Sequence, residues 1–113
     1  MSHAITLSLE TFSVEVLDAS HKKIVLVDFW ADWCSPCRVI APILDKLLTR
    51  YLDEVIYAKL EVDEGENMKL AGRYKVRGFP TIMLFRHAEE IDRFNGAKPA
   101  AFIEQFLQSQ LNA

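Results

Sequence analysis

Cysteine and histidine are both scarce in this sequence. Its 113 residues include two cysteines, Cys34 and Cys37, and three histidines, His3, His21 and His87. A small secreted domain that is short of hydrophobic core usually carries more cysteines, as a framework of disulfides. Structural zinc needs about four ligands, and none of the histidines has metal-ligand spacing to the cysteine pair. Two cysteines separated by two residues indicate redox chemistry or metal binding in a reducing cytosol, and the shortage of ligands favours redox chemistry.

Long apolar runs and an excess of positive charge are also missing, and we expect no targeting segment. No run approaches the roughly 20 apolar residues that span a bilayer, so we expect no membrane-spanning segment. The 13 Lys and Arg are outnumbered by 16 Asp and Glu, for a formal net charge of −3. Nucleic-acid binding calls instead for clustered Lys and Arg. Residues Met1–Ile5 show no basic region followed by an apolar stretch, so the sequence predicts no signal peptide and a cytoplasmic location.

The chain also lacks internal repeats, low-complexity segments and linkers. Half of its residues are hydrophobic and 26% are charged, which is the balance of an ordinary globular domain. Its length is sufficient for one hydrophobic core. We therefore expect a single domain over residues 1–113, and a monomer.

Strands and helices are predicted to alternate along the chain and to end in a hairpin and a helix. Ile24–Trp30 is a continuous β-rich run, typical of a central strand that is buried on both faces. Strands are also expected at 5–7, 55–62, 81–85 and 91–94, and helices after an N-cap at Ser8, at 35–51, at 66–74 and from Pro99. The side chains expected to face inward are Phe12, Val16 and Leu17 in the first helix, Val39, Ile40, Ile43, Leu44, Leu47 and Leu48 in the second, and Phe102, Ile103, Phe106 and Leu107 in the last. This pattern predicts an α/β fold, with a mixed central β-sheet flanked by helices on both faces.

The segment Trp33-Cys34-Ser35-Pro36-Cys37-Arg38 follows the central strand and opens a helix, at the sheet edge where active sites tend to lie. Only a thiolate attacks a disulfide. Cys34 at the helix N-terminus would have its pKa lowered by unpaired N–H groups and by the helix dipole. Pro36 has no N–H, so the Cys37 amide is the expected donor to the Cys34 sulfur. Cys37 lies one turn on, and we expect Cys34 to be the exposed attacking thiol and Cys37 the buried resolving thiol.

Asp28 is the one charged residue in the run Ile24–Trp30. Burial in the central strand should raise the pKa of its carboxyl group. Because the strand leads into the cysteine motif, this acid is a candidate to accept the proton of Cys37. The alternative is a structural aspartate bound to the backbone or to a lysine. Lys59 on the next strand is a candidate partner, or else a surface lysine.

A proline stands directly before the fourth predicted strand, in Arg77-Gly78-Phe79-Pro80-Thr81. An X–Pro bond in this position can be cis, a rare state that usually has a purpose. The backbone of Phe79 would then be placed to pair with an extended peptide, like an added strand. The alternative is a plain trans turn.

Together these motifs resemble the thioredoxin family over nearly the whole chain. The matching segments, in order, are Val27-Asp28-Phe29-Trp30-Ala31-Asp32-Trp33-Cys34, Pro36-Cys37-Arg38, Ala41-Pro42, Val62-Asp63, Val76-Arg77-Gly78-Phe79-Pro80-Thr81 and Gly96. The resemblance implies the thioredoxin fold, a cis Pro80, Cys34 as nucleophile, Cys37 as resolving thiol and Asp28 as proton acceptor. It further implies a substrate-binding surface and a set of residues that tune the redox potential. The first comprises Trp33, Gly78, Phe79, Pro80 and Gly96, and the second comprises Ser35, Pro36 and Lys59.

The partners implied by the resemblance are thioredoxin reductase, as electron donor, and disulfide-containing proteins, as substrates. No bound cofactor or metal is expected, since the redox-active group would be the Cys34–Cys37 disulfide. NADPH and FAD would act through the reductase. Neither nucleic acid nor a membrane is expected as a partner.

The chain departs from the family pattern in three places. Ser35 stands where the family motif has Gly, which bears on the redox potential. The hairpin turn reads Arg86-His87-Ala88-Glu89 instead of turning on Asn-Gly, and the segment Glu64-Gly65-Glu66-Asn67 is slightly longer than usual. These two loops bear on the choice of partner.

Three rival functions remain open at this point. A thioredoxin fold can serve as a scaffold or chaperone subunit, although such proteins often lack one of the two cysteines. A disulfide-forming oxidase or isomerase works in an oxidising compartment and tends to have His where this chain has Pro36. A Cys/His metal protein needs more ligands than this sequence offers.

Overall fold

The structure, a computed structural model, describes residues 3–112. Met1 and Ser2, which begin the segment considered for a signal peptide, and Ala113, which ends the expected domain, lie outside the described residues. Five strands form one mixed sheet in the order β1-β3-β2-β4-β5. The strands are β1 (Ile5–Thr6), β2 (Ile24–Trp30), β3 (Val55–Glu61), β4 (Thr81–Arg86) and β5 (Glu89–Asn95). β1 and β2 both pair parallel with β3, whereas β4 pairs antiparallel with β2 and with β5. The predicted mixed sheet is therefore confirmed.

Three α-helices and several shorter helical turns connect these strands. The α-helices are α1 (Ser35–Leu48), α2 (Met68–Arg73) and α3 (Ala100–Leu111), and the shorter elements are a π-helix at Ser13–Asp18 and 3₁₀ turns at Ala19–His21 and Thr49–Tyr51. The first helix was expected to start directly after Ser8, but its regular part begins at Ser13. Ser8 caps the preceding turn instead, because its Oγ accepts the N–H of Thr11 at 3.3 Å while Thr11 Oγ1 accepts the N–H of Ser8 at 3.0 Å.

The sheet is covered on both faces by apolar side chains, as predicted. β2 alternates between the two sides: Val25, Val27 and Phe29 join one buried cluster, and Ile24 and Leu26 join the other. The first cluster includes Phe12, Val16, Leu70 and Ala71, and the second includes Ile40, Leu44, Ile103 and Leu107. Because burial of such a side chain contributes about 1.5–3 kcal/mol, β2 at the centre of the sheet needs apolar residues on both faces.

Two of the side chains expected to face inward are instead exposed. Val39 is 57% exposed and Phe102 is 43% exposed. The buried stripe of α1 follows Cys37, Ile40 and Leu44, and Val39 lies about 100° around the helix from Ile40. The Phe102 ring meets the Phe94 ring in a T-shaped contact, with the ring centroids 5.4 Å apart, and the Nζ of Lys98 lies over the Phe102 ring.

Candidate active site

The two cysteines lie at the start of α1, which follows the end of β2 at the carboxyl edge of the sheet. Cys34 is the N-cap residue of α1, with extended backbone angles, and Pro36 occupies the first turn. The N–H of Cys37 donates to Cys34 Sγ at 3.2 Å, which confirms the donor predicted from the motif. The two sulfurs are joined as a disulfide, and the Cα atoms are 5.3 Å apart. The sequence folds this way because Cys34 ends the extended segment and Pro36 suits a first helical turn.

The expected difference in exposure between the two thiols is wrong for this oxidised state. Cys34 is 4% exposed and Cys37 is 3% exposed. Both belong to the buried cluster that contains Phe29 and Ala31, because the disulfide packs against the end of β2. The two sulfurs differ in hydrogen bonding instead, since Cys34 Sγ accepts an N–H at the helix N-terminus.

Trp33 forms an exposed apolar surface beside the disulfide. Its side chain is 63% exposed, and its Nε1–H donates to Asp63 Oδ2 at 2.6 Å. The Trp33 ring meets the Phe79 ring edge-on, with centroids 5.8 Å apart. Asp63 was quoted only as part of the family pattern, and its contact with Trp33 was missed. In the sequence, the position of Asp63 just after a predicted strand could have indicated this contact. In the structure, the Val62 N–H donates to the Trp30 carbonyl at 2.9 Å, which brings the end of β3 close to the segment that carries Trp33.

The segment Gly78–Pro80 lies against this surface. The Phe79–Pro80 peptide bond is cis, as the resemblance implied, and the alternative of a plain trans turn is wrong. Thr81 Oγ1 donates to the Gly78 carbonyl at 2.6 Å, and the Gly96 N–H donates to the Pro80 carbonyl at 2.9 Å. Gly96 has a φ of +89°, in the region that favours glycine. The structure therefore brings together Trp33, Phe79, Pro80 and, through its backbone, Gly96.

Asp28 is fully buried in the middle of the sheet. Within residues 3–112, neither of its carboxylate oxygens has a hydrogen-bond partner, so the alternative of a backbone-bound aspartate finds no support. Burial raises the pKa of Asp28 to about 7, although the charge of Lys59 opposes this rise and the charge of Asp45 adds to it. A carboxyl group with a pKa near neutrality can take up and release a proton under physiological conditions.

Lys59 acts on Asp28 through its charge and not through a hydrogen bond, and its side chain is partly exposed. It stands opposite Asp28 in the parallel register of β2 and β3. Its Nζ lies over the ring of Trp30, 5.0 Å from the ring centroid. Lys59 and Trp30 also line a cleft of about 490 Å³ that opens between the end of β1 and residues 61–67. Asp28 itself is buried, but its neighbour Lys59 borders this open cleft, so Lys59 lies between Asp28 and solvent.

The sequence interpretation missed Tyr57, a buried phenol close to Asp28. Tyr57 is 3% exposed, and it lies on the same face of β3 as Lys59 because side chains alternate along a strand. Burial raises the pKa of Tyr57, and the charges of Asp28 and Asp45 raise it further. The phenol therefore stays protonated beside the carboxyl group. Two-residue spacing from Lys59 was the signal that could have identified it.

Two further observations concern metals and membranes. In the part of the chain that the structure describes, no group of three or more His, Cys, Asp or Glu side chains is placed to hold a metal ion. Among the same residues, no helix is both long and apolar enough to cross a bilayer.

Comparison with known proteins gives a consistent result. The chain matches the family described as Thioredoxin over residues 3–109. It is 39% identical to "Thioredoxin 1" of Nostoc sp. over 111 residues, covering 98% of this chain and 100% of that protein. It is 43% identical to "Thioredoxin" of Acidithiobacillus ferridurans over 112 residues, covering 98% of this chain and 100% of that protein. It is also 43% identical to "Thioredoxin M-type, chloroplastic" of Chlamydomonas reinhardtii over 103 residues, covering 91% of this chain and 71% of that protein.

The redox-active group is the Cys34–Cys37 disulfide at the N-terminus of α1. The protein is a dithiol–disulfide oxidoreductase, and a scaffold role without turnover is not favoured, because both cysteines are present and bonded to each other. The mixed five-stranded sheet, the disulfide at its carboxyl edge and the full-length similarity to thioredoxins lead to one conclusion: the chain belongs to the thioredoxin family.

Proposed function

We propose that this protein reduces disulfides in client proteins, with Cys34 as the nucleophile and Cys37 as the resolving thiol. The observation that carries the proposal is the hydrogen bond from the Cys37 N–H to Cys34 Sγ, at 3.2 Å, at the start of α1. Such a donor and the positive end of a helix stabilise a thiolate on Cys34 more than one on Cys37. An activated Cys34 is what the first step of the exchange requires.

The reaction then proceeds in two exchanges. The Cys34 thiolate attacks one sulfur of the client disulfide, forming a mixed disulfide and releasing the other client sulfur as a thiolate. Cys37 loses its proton and attacks Cys34 Sγ. The Cys34–Cys37 disulfide closes, and the second client sulfur leaves as a thiolate. The client gains two electrons and the protein loses two.

Asp28 is proposed to accept the proton of Cys37 in the second exchange. Its support is a pKa of about 7 in a fully buried carboxyl group, since a base is most effective when its pKa lies near the working pH. Lys59, opposite Asp28 on β3, is proposed to favour the ionised form of Asp28 and so to tune this step. Pro36 and Ser35 are proposed to tune the potential from the first turn of α1.

The client is proposed to lie across Trp33 and the segment Gly78–Pro80. Trp33 offers an exposed aromatic face, and its hydrogen bond to Asp63 holds the ring in place. The backbone of Phe79 would pair with an extended client segment as an added strand. Gly96 supports this segment through its hydrogen bond to Pro80 and leaves room for the client because it has no side chain.

The oxidised protein is proposed to receive electrons from thioredoxin reductase, with NADPH and FAD acting in that enzyme. This makes the protein an electron carrier between the reductase and disulfide-containing clients. We place it in the cytoplasm, because a dithiol reductant works where cellular thiols are kept reduced. We also propose one domain over residues 1–113 that acts as a monomer. Cell fractionation and sedimentation would test the location and the oligomeric state.

Insulin reduction in the presence of thioredoxin reductase and NADPH tests the proposed function. The wild-type protein should accelerate both NADPH oxidation and insulin precipitation. Cys34→Ser should abolish both, and metal analysis of the active protein should find no stoichiometric metal. Reduction that persists in Cys34→Ser, or a wild-type protein that the reductase does not turn over, would contradict the proposal.

A further inference from the structure

A second pocket lies at the end of the sheet far from the disulfide. Its volume is about 240 Å³. β2 runs from Ile24, in the wall of this pocket, to Trp30 near the active site. The rise of about 3.3 Å from each residue to the next separates the two ends of this strand by roughly 20 Å. The charged or titratable residues in the pocket wall are His21, Lys22, Lys23, Glu54, Arg86 and His87.

Two segments that are remote in sequence meet at this pocket through Ser20. This serine is 2% exposed. Its carbonyl accepts the N–H of His87 at 3.0 Å, and its Oγ accepts the N–H of Ala88 at 2.7 Å. Ser20 Oγ also donates to the Leu17 carbonyl at 2.7 Å. The hairpin turn is thus held against the segment before β2, so the two segments that carry the basic side chains are fixed beside each other.

The hairpin turn holds two residues other than glycine in a backbone conformation that is unfavourable for them. His87 and Ala88 have φ values of +53° and +67°, in the left-handed region that glycine and asparagine adopt most readily. The His87 ring lies beside that of His21, with the centroids 5.8 Å apart. Backbone strain of this kind persists where the surrounding structure over-determines it, and it concentrates at functional sites. The turn therefore keeps an imidazole at a position where glycine would be less strained.

The balance of charged side chains in the pocket wall indicates which class of ligand it would bind. Among residues 3–112, Lys22, Lys23 and Arg86 contribute three permanent positive charges to the pocket wall, against the single carboxylate of Glu54. Arg86 directs one guanidinium nitrogen to the Gln110 carbonyl at 2.9 Å, at the end of α3, and this contact fixes the arginine in the wall. The two imidazoles add donors, whereas the neighbouring positive charges would repel a metal cation. In a protein of net charge −3, this concentration of positive charge favours an anion.

We propose that this pocket binds a small phosphate-class oxyanion. Lysine ammonium groups bind phosphate as point charges, and N–H groups of arginine and histidine donate to its oxygens. The ligand would not compete with clients, because the pocket and the disulfide lie at opposite ends of β2. The protein can then carry the anion and perform thiol–disulfide exchange at the same time.

A titration with inorganic pyrophosphate, followed by the backbone amide signals in NMR at constant ionic strength, tests the proposal on the full chain. Saturable shifts should appear at residues 20–23 and 86–88 and not at residues 33–37. The variant Lys22→Gln/Lys23→Gln should weaken binding by about tenfold or more, since charge-assisted hydrogen bonds are the strong ones. Glu54→Gln should tighten binding, because it removes the one opposing charge that the described residues place in the wall.

The matched control is Lys46→Gln/Lys69→Gln, which removes the same total charge at sites outside this pocket. It should change the affinity by less than about twofold, as expected for distant screened charges. Amide spectra of each variant establish that it is folded. Equal weakening in the two double variants, weaker binding in Glu54→Gln, or absence of saturation in the millimolar range would overturn the proposal.

Discussion

Replacement of Asp28 by Asn should remove a pH-dependent contribution to the stability of the oxidised protein. Burial raises the pKa of this carboxyl group from 3.8 to about 7, despite the opposing charge of Lys59. Between these pH values the folded protein holds a proton on Asp28 that the unfolded chain has released. The free energy of unfolding therefore falls as the pH rises from 3.8 to about 7, and this contribution is constant above and below that range.

The size of the effect follows from the same two values. The interval between 3.8 and about 7 corresponds to about 4 kcal/mol, because one pH unit is equivalent to about 1.4 kcal/mol. The asparagine of the Asp28→Asn variant cannot titrate in this range. Its buried amide adds a cost of about 1–3 kcal/mol that does not depend on pH. Relative to wild type, the variant should thus gain about 4 kcal/mol of stability between acidic and alkaline pH.

Denaturant unfolding of the oxidised proteins between pH 4 and pH 9 measures this difference, with the cysteines kept as the disulfide so that they do not titrate. Asp53→Asn, at an exposed position, is the matched control and should follow the wild-type curve. Lys59→Met should extend the fall in stability to higher pH, because Lys59 lowers the pKa of Asp28. A wild-type curve and an Asp28→Asn curve that run parallel across the range would refute the reasoning.

Three further changes give distinct results. Cys37→Ser should accumulate mixed disulfides between Cys34 and client proteins in a cell extract, seen by mass spectrometry, because the first exchange needs Cys34 alone; adducts formed by Cys34→Ser instead would reverse the two roles. Ser35→Gly should make the cysteine pair more reducing by about 10–30 mV in equilibrium with glutathione, because the serine hydroxyl can donate to the Cys34 thiolate. A more oxidising variant contradicts that hydrogen bond. Ala88→Gly should stabilise the protein by about 0.5–1 kcal/mol in denaturant unfolding, since it relieves a left-handed backbone, and a destabilised variant would show that the turn is not strained.

Features that depend on neighbours along the chain were predictable from the amino-acid sequence. The seven residues of β2 read as a buried strand, and six of them are buried. The Cys37 N–H reaches Cys34 Sγ because a side chain at an N-cap lies close to the backbone three residues on. The buried stripe of α1 was mostly predicted from its helical spacing, yet Val39 was placed on the wrong face. Positions at the boundary of an apolar stripe depend on what packs against the helix, and helical periodicity does not include that information.

The sequence by itself thus determined the cysteine chemistry, the central strand and the family, because each of these is carried by short segments with strong local preferences. Only the tertiary structure decided which distant groups meet. The register of β2 against β3 placed Lys59 opposite Asp28, and a slip of one residue would have turned that lysine to the other face of the sheet. Tertiary structure likewise brought Asp63 into a hydrogen bond with Trp33 and placed the ring of His87 beside that of His21. These contacts join residues 30 or more positions apart, so they exist only once strand register and loop packing have brought the segments together.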